Sequence, residues 1–445
     1  MKDNIIFISA PIKSHIIPSF YIANLLSIEF NIYYIVTDVY FVPLIEKNNY
    51  KVILSSGYRP LLGMEKAFIC KNKKKGTFNH LLSIINQDVD KFRKKEFKEI
   101  YKKLNPKAVF IDMFSSTDYV LLHGLEKKNL FFFNPMPSTY RIHGFPVVSE
   151  PDFLNKYYDV SRNPLKSTKI SLKNLIKKPK NTLLLLLQFL FARKTLKDNG
   201  LSEKIIADNN EYTVGFKGVP EFLLIPIEFE FSEKIKLPWQ NYLGLSINEK
   251  PIYEDLDIEY YEDWTEIVQI KKPIIYCSFG TFYSGPEDKL FNFIEKLIDV
   301  RKELDLTFII STNSQNLKNR IKKKAINSFY VYNKVPQLQV LKKASIYICH
   351  GGMGSIKESI FYGVPLLVYP LDLNYDQSGN GLKVVYHEIG LRGDFIFDNA
   401  NDIIEKIKEL LNNNKYSQKI KKLQKQINTS YNDNKNRELI KSFFK

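Results

Sequence analysis

Two doubly wound α/β domains are what this sequence predicts, and three observations carry the prediction. Short apolar, β-branched runs alternate with longer helical stretches in both halves of the chain. That is the pattern of parallel sheets covered by helices on both faces. At 445 residues the chain exceeds what one ordinary core organises, so two domains are the natural division. A glycine-rich turn, His350-Gly-Gly-Met-Gly-Ser355, lies between an apolar run and a helical stretch. Ligands of such sheets sit at the C-terminal ends of the strands.

The elements follow in order. Ile5–Ser9 reads as the first strand, followed by a loop and a helix from about Pro18 to Ile28. Ile32–Thr37, Ala108–Asp112 and Leu130–Asn134 are the next strands. In the second half Pro273–Ser278, Leu306–Ser311, Phe329–Val331, Ile346–Cys349 and Leu366–Tyr369 are strands, with lysine-rich helical stretches between them. The acidic, proline-containing stretch 248–263 marks the linker. The expected division is an N-terminal domain over 1–245, a linker over 246–265 and a C-terminal domain over 266–430. A closing helix over 431–445 has the option of packing back on the N-terminal domain. No short internal repeat is visible.

Composition removes several classes. A hydrophobic content of 44% supports packed cores. The three cysteines, Cys70, Cys277 and Cys349, stand far apart without metal-ligand spacing, which argues for a reducing compartment and a cytoplasmic location. The N-terminus enters a strand directly and shows no signal-peptide pattern. No run is long enough to span a bilayer. The net charge of +17 raises nucleic-acid binding, but no nucleic-acid motif accompanies it. Much of it is a lysine bias spread along the chain. One stretch is locally extreme: from Lys156 to Lys197 there are eleven Lys or Arg and one acid, Asp159, around Leu183–Leu187 and Phe189-Leu190-Phe191. Two readings of 177–197 stay open, a buried core helix with solvated flanks or peripheral contact with an anionic membrane.

The glycine turn has the layout of an anion site. Its glycines permit a tight turn and close approach of a ligand to the backbone. Ser355 opens the following helix, whose free N–H groups and dipole favour negative charge. His350 sits at the strand end with a proton to donate. Ser355-Ile-Lys-Glu358 also reads as a capping box.

The longer string resembles the signature of the UDP-glycosyltransferase family, the family 1 glycosyltransferases with the GT-B fold. It comprises His350, Gly351, Gly352, Gly354, Ser355, Glu358, then Gly363-Val364-Pro365, Pro370, Asp376-Gln377 and Asn380. The Met-Gly-Ser version is most similar to the bacterial macrolide-type subgroup, and Val335-Pro336-Gln337 matches the element that precedes the signature. Near the N-terminus, Ser14-His15-Ile-Ile-Pro18 is similar to the family's G-H-x-x-P element, with Ser14 in place of Gly. The resemblance is weakest between about residues 150 and 240.

The resemblance implies a GT-B fold with two Rossmann-like domains facing a cleft. It implies an inverting transfer of a hexose, most simply glucose, from a nucleoside-diphosphate sugar to a hydroxyl of a lipophilic small molecule, with no metal and no cofactor. His15 is the implied base and Asp112 its partner, although Asp112 also reads as a helix N-cap. Asp118 ranks behind it. Implied donor contacts are Ser278, Gly280 and Thr281 of the Ser-Phe-Gly-Thr loop, and Val335. Gln337 and Glu358 match ribose contacts, although Glu358 is also the second member of the capping box. His350, Gly352, Gly354 and Ser355 match diphosphate contacts. Asp376 and Gln377 match sugar contacts. Two departures stand out. Lys334 occupies the position where plant members carry a tryptophan that stacks on uracil, and Gly354 replaces an asparagine, so UDP and TDP both stay open as donors. Other GT-B enzymes, or a non-catalytic sugar-nucleotide binder, are the alternative readings. Phe133 to Leu201 is where the family shapes its acceptor pocket, and its aromatics Tyr140, Phe145, Phe153, Tyr157 and Tyr158 read equally as a surface for a flat or greasy molecule or as ordinary core residues.

Overall fold

Strands buried on both faces give the molecule its frame. The structure, a computed structural model, describes residues 2–71, 76–125, 129–150, 179–248, 256–280, 287–324 and 326–444. In the N-terminal half these are β1 (Asn4–Ile8), β2 (Asn31–Val36), β3 (Lys51–Leu54), β4 (Pro106–Asp112), β5 (Leu130–Asn134), β6 (Glu221–Leu223) and β7 (Gln240–Tyr242). They form one parallel sheet in the order β3-β2-β1-β4-β5-β6-β7. The C-terminal half holds β8 (Ile274–Ser278), β9 (Thr307–Ser311), β10 (Phe329–Tyr332), β11 (Ile346–Cys349), β12 (Leu366–Val368) and β13 (Gly390–Arg392). Their order is β10-β9-β8-β11-β12-β13, again parallel. β5, β8, β9, β11 and β12 are buried at every residue, because helices cover both faces of a parallel sheet.

The helices that position the site are α1 (Lys13–Ser27), α2 (Asp88–Leu104), α3 (Pro179–Asp198), α4 (Gln337–Leu341), α5 (Met353–Tyr362), α6 (Gln377–Tyr386) and α7 (Asp433–Lys441). Two of them start earlier than the sequence suggests. α1 begins at Lys13, not near Pro18, and Pro18 lies inside it. The carbonyl that loses its helical partner to the proline is that of Ser14, an exposed residue that solvent can serve. α5 is capped by Gly352, with no side-chain cap. Ser355 is therefore the third helical residue and does not open the helix, so the capping box expected from Ser355 and Glu358 is absent.

The expected linker is only partly a linker. Ile258–Ile267 is a helix whose Tyr260 is buried in the C-terminal core against Tyr332. α7 lies on the N-terminal domain: Tyr21 donates to Asp433 at 2.8 Å, and Asn436 donates to the Leu243 carbonyl at 2.9 Å. Phe444 stacks on Phe131 with ring centroids 5.8 Å apart. The last turns of α3 belong to the N-terminal core through Ala192 and Leu196, while Leu190 is 54% exposed. Lys177 and Lys178 lie outside the described residues. No helix among the described residues is long and apolar enough to cross a membrane.

The two domains meet through buried polar contacts. Lys357 on α5 donates to the Leu224 carbonyl at 2.6 Å; burial pushes its ammonium down to about 8. Lys383 on α6 pairs with Glu230 at 3.3 Å, both buried. Gly379, also on α6, lies so close to the Val148 carbonyl that a Cβ there would clash with it.

Candidate active site

His15 occupies the first turn of α1, just beyond the C-terminal end of β1, and Asp112 is the last residue of β4. β1 and β4 are neighbours, so the two side chains meet at one edge of the sheet. His15 Nδ1 lies 3.1 Å from both Asp112 carboxylate oxygens. A carboxylate only accepts, so Nδ1 carries the proton and Nε2 is left with its lone pair. Asp112 also accepts from the Phe114 N–H at 2.8 Å and the Ala10 N–H at 3.3 Å. The cap and partner readings of Asp112 are therefore both realised by one fully buried carboxylate. Asp118 is elsewhere engaged, in a bidentate pair with Arg93.

The second constellation lies at the C-terminal ends of β8 and β11. Gly280 and Gly351 adopt φ of +73° and +84°, a region that costs a side chain energy. The His350 ring lies against Gly280 and Gly352, and a Cβ on either would overlap it. Its Nδ1 is buried with no hydrogen-bond partner among the described residues, and burial pulls the imidazole down to about 4. It is a neutral ring at pH 7. The first intrahelical bond of α5 runs from the Ile356 N–H to the Gly352 carbonyl at 3.2 Å. The N–H groups of Met353, Gly354 and Ser355 therefore have no helical acceptor and are placed for an anion. An added Cβ at Gly354 meets nothing, so this turn is open where the family often carries an asparagine. The Gly280 carbonyl accepts from Asn313 at 2.6 Å, which holds the Ser278-Phe279-Gly280 loop. Thr281 lies outside the described residues. Val335 is buried just before α4.

Gln337 and Glu358 touch one another: Gln337 Nε2 donates to a Glu358 carboxylate oxygen. Asp376 is held by Asn380, whose Nδ2 donates to it at 2.8 Å and to the Gly351 carbonyl at 2.9 Å. Gln377 accepts from the Leu371 and Asp372 N–H groups at 2.8 and 3.0 Å. Burial raises the Asp376 carboxyl, and hydrogen bonding from Asn380 opposes that rise.

Residues 288–439 match the glycosyltransferase family 28 C-terminal domain. An uncharacterized UDP-glucosyltransferase, YdhE, of Bacillus subtilis (strain 168) is 28% identical over 182 residues, 41% of this chain and 42% of that protein. A zeaxanthin glucosyltransferase of Pantoea ananas is 30% identical over 155 residues, 35% of this chain and 34% of that protein. The matches thus span less than half the length of these curated relatives. The crystal structure of the glycotransferase of kitacinnamycin superposes with a TM-score of 0.68 at 16% identity, over 100% of this chain and 99% of that one. The chain has the GT-B fold of the UDP-glycosyltransferases.

In GT-B terms, His15 and Asp112 belong to the N-terminal domain and the remaining described site residues to the C-terminal one. The fold brings these together but adds residues that no motif marked. The Phe114 ring lies 4.7 Å from the His15 imidazole, centroid to centroid. Tyr212 is 6.4 Å beyond Phe114, and Tyr375 of the C-terminal domain is 6.2 Å beyond Tyr212. Tyr212 lies in a stretch without a motif, and Tyr375 was visible only as the residue before Asp376. Of the aromatics expected in the acceptor region, Tyr140 is core, packed edge-on to Trp239. Phe153, Tyr157 and Tyr158 lie outside the described residues.

Proposed function

We propose that this protein is an inverting, metal-independent glycosyltransferase that moves glucose from UDP to a hydroxyl of a lipophilic small molecule. The observation that carries the reading is the His15–Asp112 hydrogen bond at the end of the N-terminal sheet, linked through the rings of Phe114 and Tyr212 to Tyr375, the neighbour of Asp376. His15 Nε2 takes the acceptor proton while the acceptor oxygen attacks the anomeric carbon. The bond from that carbon to the diphosphate breaks on the opposite face, so configuration inverts. Asp112 holds the imidazole and stabilises the imidazolium. The α5 N–H groups and neutral His350 receive the leaving charge. The row Phe114, Tyr212 and Tyr375 suits an apolar acceptor, and a relative named for zeaxanthin points the same way. Three free cysteines, two of them buried, fit a cytoplasmic setting.

The test is an acceptor panel with UDP-glucose, read by mass spectrometry, with the anomer assigned by NMR. A β-glucoside from the α-donor supports the reading; a retained anomer, or hydrolysis alone across the panel, overturns it. Two expected outcomes dissect the donor site by calorimetry. His350→Ala weakens UDP and UDP-glucose alike, whereas Asp376→Ala weakens UDP-glucose and spares UDP. Equal loss of UDP in both variants would refute that division.

The glycine cradle gives a further expectation. Gly352→Ala displaces the His350 ring and lowers UDP affinity by roughly 10- to 100-fold, the worth of one or two hydrogen bonds to a charged group. The melting temperature changes little, since the added methyl meets the imidazole and not the core. Wild-type UDP affinity in this variant would show that His350 does not touch the nucleotide.

A further inference from the structure

Two tyrosines stand beneath the site on adjacent strands of the C-terminal sheet. Tyr276 of β8 and Tyr347 of β11 are fully buried, and their rings stack at 4.8 Å with an 18° interplanar angle. Both hydroxyls reach one atom: Tyr276 donates to Gln337 Oε1 at 3.1 Å and Tyr347 to the same oxygen at 3.0 Å. An amide oxygen has two lone pairs, so this one is saturated. The amide nitrogen must then face the other way, where it donates to Glu358. Tyr347 also lies 3.0 Å from Ser355 Oγ. A phenol has one proton, so where Tyr347 donates to Gln337 the Ser355 hydroxyl donates to Tyr347. A tyrosine buried at a strand centre needs a partner for its hydroxyl. Here both hydroxyls find that partner in the Gln337 carbonyl.

We propose that Tyr276 and Tyr347 are positioning residues that lock Gln337 and Glu358 for a ribose, and so make the site prefer ribonucleoside to 2′-deoxyribonucleoside diphosphates. The proposal rests on the reading of Gln337 and Glu358 as ribose contacts. Without the phenols, Gln337 Oε1 loses both donors and the amide is free to turn over. Turned over, it presents an oxygen to the Glu358 carboxylate, and two acceptors repel. Glu358 then leaves the place where a 2′-hydroxyl would donate to it. A site built to bond a hydroxyl rejects the ligand that lacks it, because its own polar group is left unpaired. Burial raises both phenols well above their usual range, so they remain donors at any pH where the protein is folded.

The experiment measures the affinities of UDP and 2′-deoxy-UDP for the full-length wild type, Tyr276→Phe, Tyr347→Phe and the double variant. Phenylalanine keeps the stacked rings, and a thermal melt on each variant confirms folding. The wild type should prefer UDP by about tenfold or more, the size of one lost bond to a charged group. The double variant should bring the ratio towards one by weakening UDP, with 2′-deoxy-UDP within about twofold of wild type. Gln337→Leu should reproduce that collapse. Three results overturn the proposal: a wild type that does not discriminate, a ratio unchanged in the folded double variant, or equal weakening of both nucleotides. A wild type that binds neither nucleotide would overturn the donor-site reading itself, and this proposal with it. If the double variant does not fold, the single variants decide, since each removes one of the two donors to Gln337.

Discussion

His15→Ala should lower glycosyl transfer by roughly 10²–10⁴-fold while leaving UDP-glucose affinity within about twofold. The two effects separate because the proposed nucleotide contacts belong to the other domain. The variant should stay folded: Asp112 keeps the Phe114 and Ala10 N–H groups as donors, so its buried charge is not stranded. Asp112→Asn is the sharper companion. An asparagine in that place can donate to Nδ1, which would force the His15 proton onto Nε2 and remove the base. A loss of about 10³–10⁴-fold is expected, as for the wrong histidine tautomer in serine proteases. Single-turnover kinetics with saturating donor measure the step directly. If His15→Ala transfers sugar at the wild-type rate, the base is another group and the mechanism fails at its first step.

Much of this site was legible because its chemistry constrains the chain locally. The His350-Gly-Gly turn needs positive φ at Gly351 and room for the imidazole beside Gly352, so glycines had to appear there. β8, β9, β11 and β12 were legible because strands buried on both faces read as unbroken apolar runs. What was misread depended on contacts between distant segments. Glu358 resembled a capping residue three positions after Ser355, but Gly352 caps α5, and Glu358 is claimed by Gln337, 21 residues away. β6 and β7 are three residues each and carry Glu221 and Gln240, polar groups that a buried strand normally excludes. They are tolerated because Asn134 and Gln240 both donate to Glu221, at 3.1 and 3.0 Å. Tyr276 and Tyr347 passed as ordinary apolar strand residues, since nothing in the order of residues reveals that two hydroxyls meet on one amide. The start of α1 was placed late because Pro18 reads as a first-turn residue, and only the exposure of Ser14 makes an interior proline acceptable.

The largest stability effect should come from Arg93→Met, at about 3–5 kcal/mol, the usual cost of stranding one member of a buried ion pair. Arg93 on α2 is almost fully buried and grips fully buried Asp118 with two bonds, Nη2 to Oδ2 at 2.7 Å and Nε to Oδ1 at 3.1 Å. Glu96 also receives Arg93, at 3.3 Å. Removing the guanidinium therefore leaves the buried Asp118 carboxylate without its cation, whereas Glu96 keeps the Ser56 N–H and hydroxyl as donors. Asp118 opens the short helix Asp118–His123, a few residues after Asp112, so the loss falls on the packing of that helix against α2. Urea unfolding followed by tryptophan fluorescence and circular dichroism measures it. The double variant Arg93→Met/Asp118→Leu should recover most of the loss, because it removes the stranded charge and replaces it with apolar volume. A single variant within about 1 kcal/mol of wild type, or a double variant worse than the single, would show that the pair is not what holds α2 to this helix. At a temperature where Arg93→Met is fully folded its turnover should match wild type, since the bonds from Asp112 to His15 do not pass through Arg93.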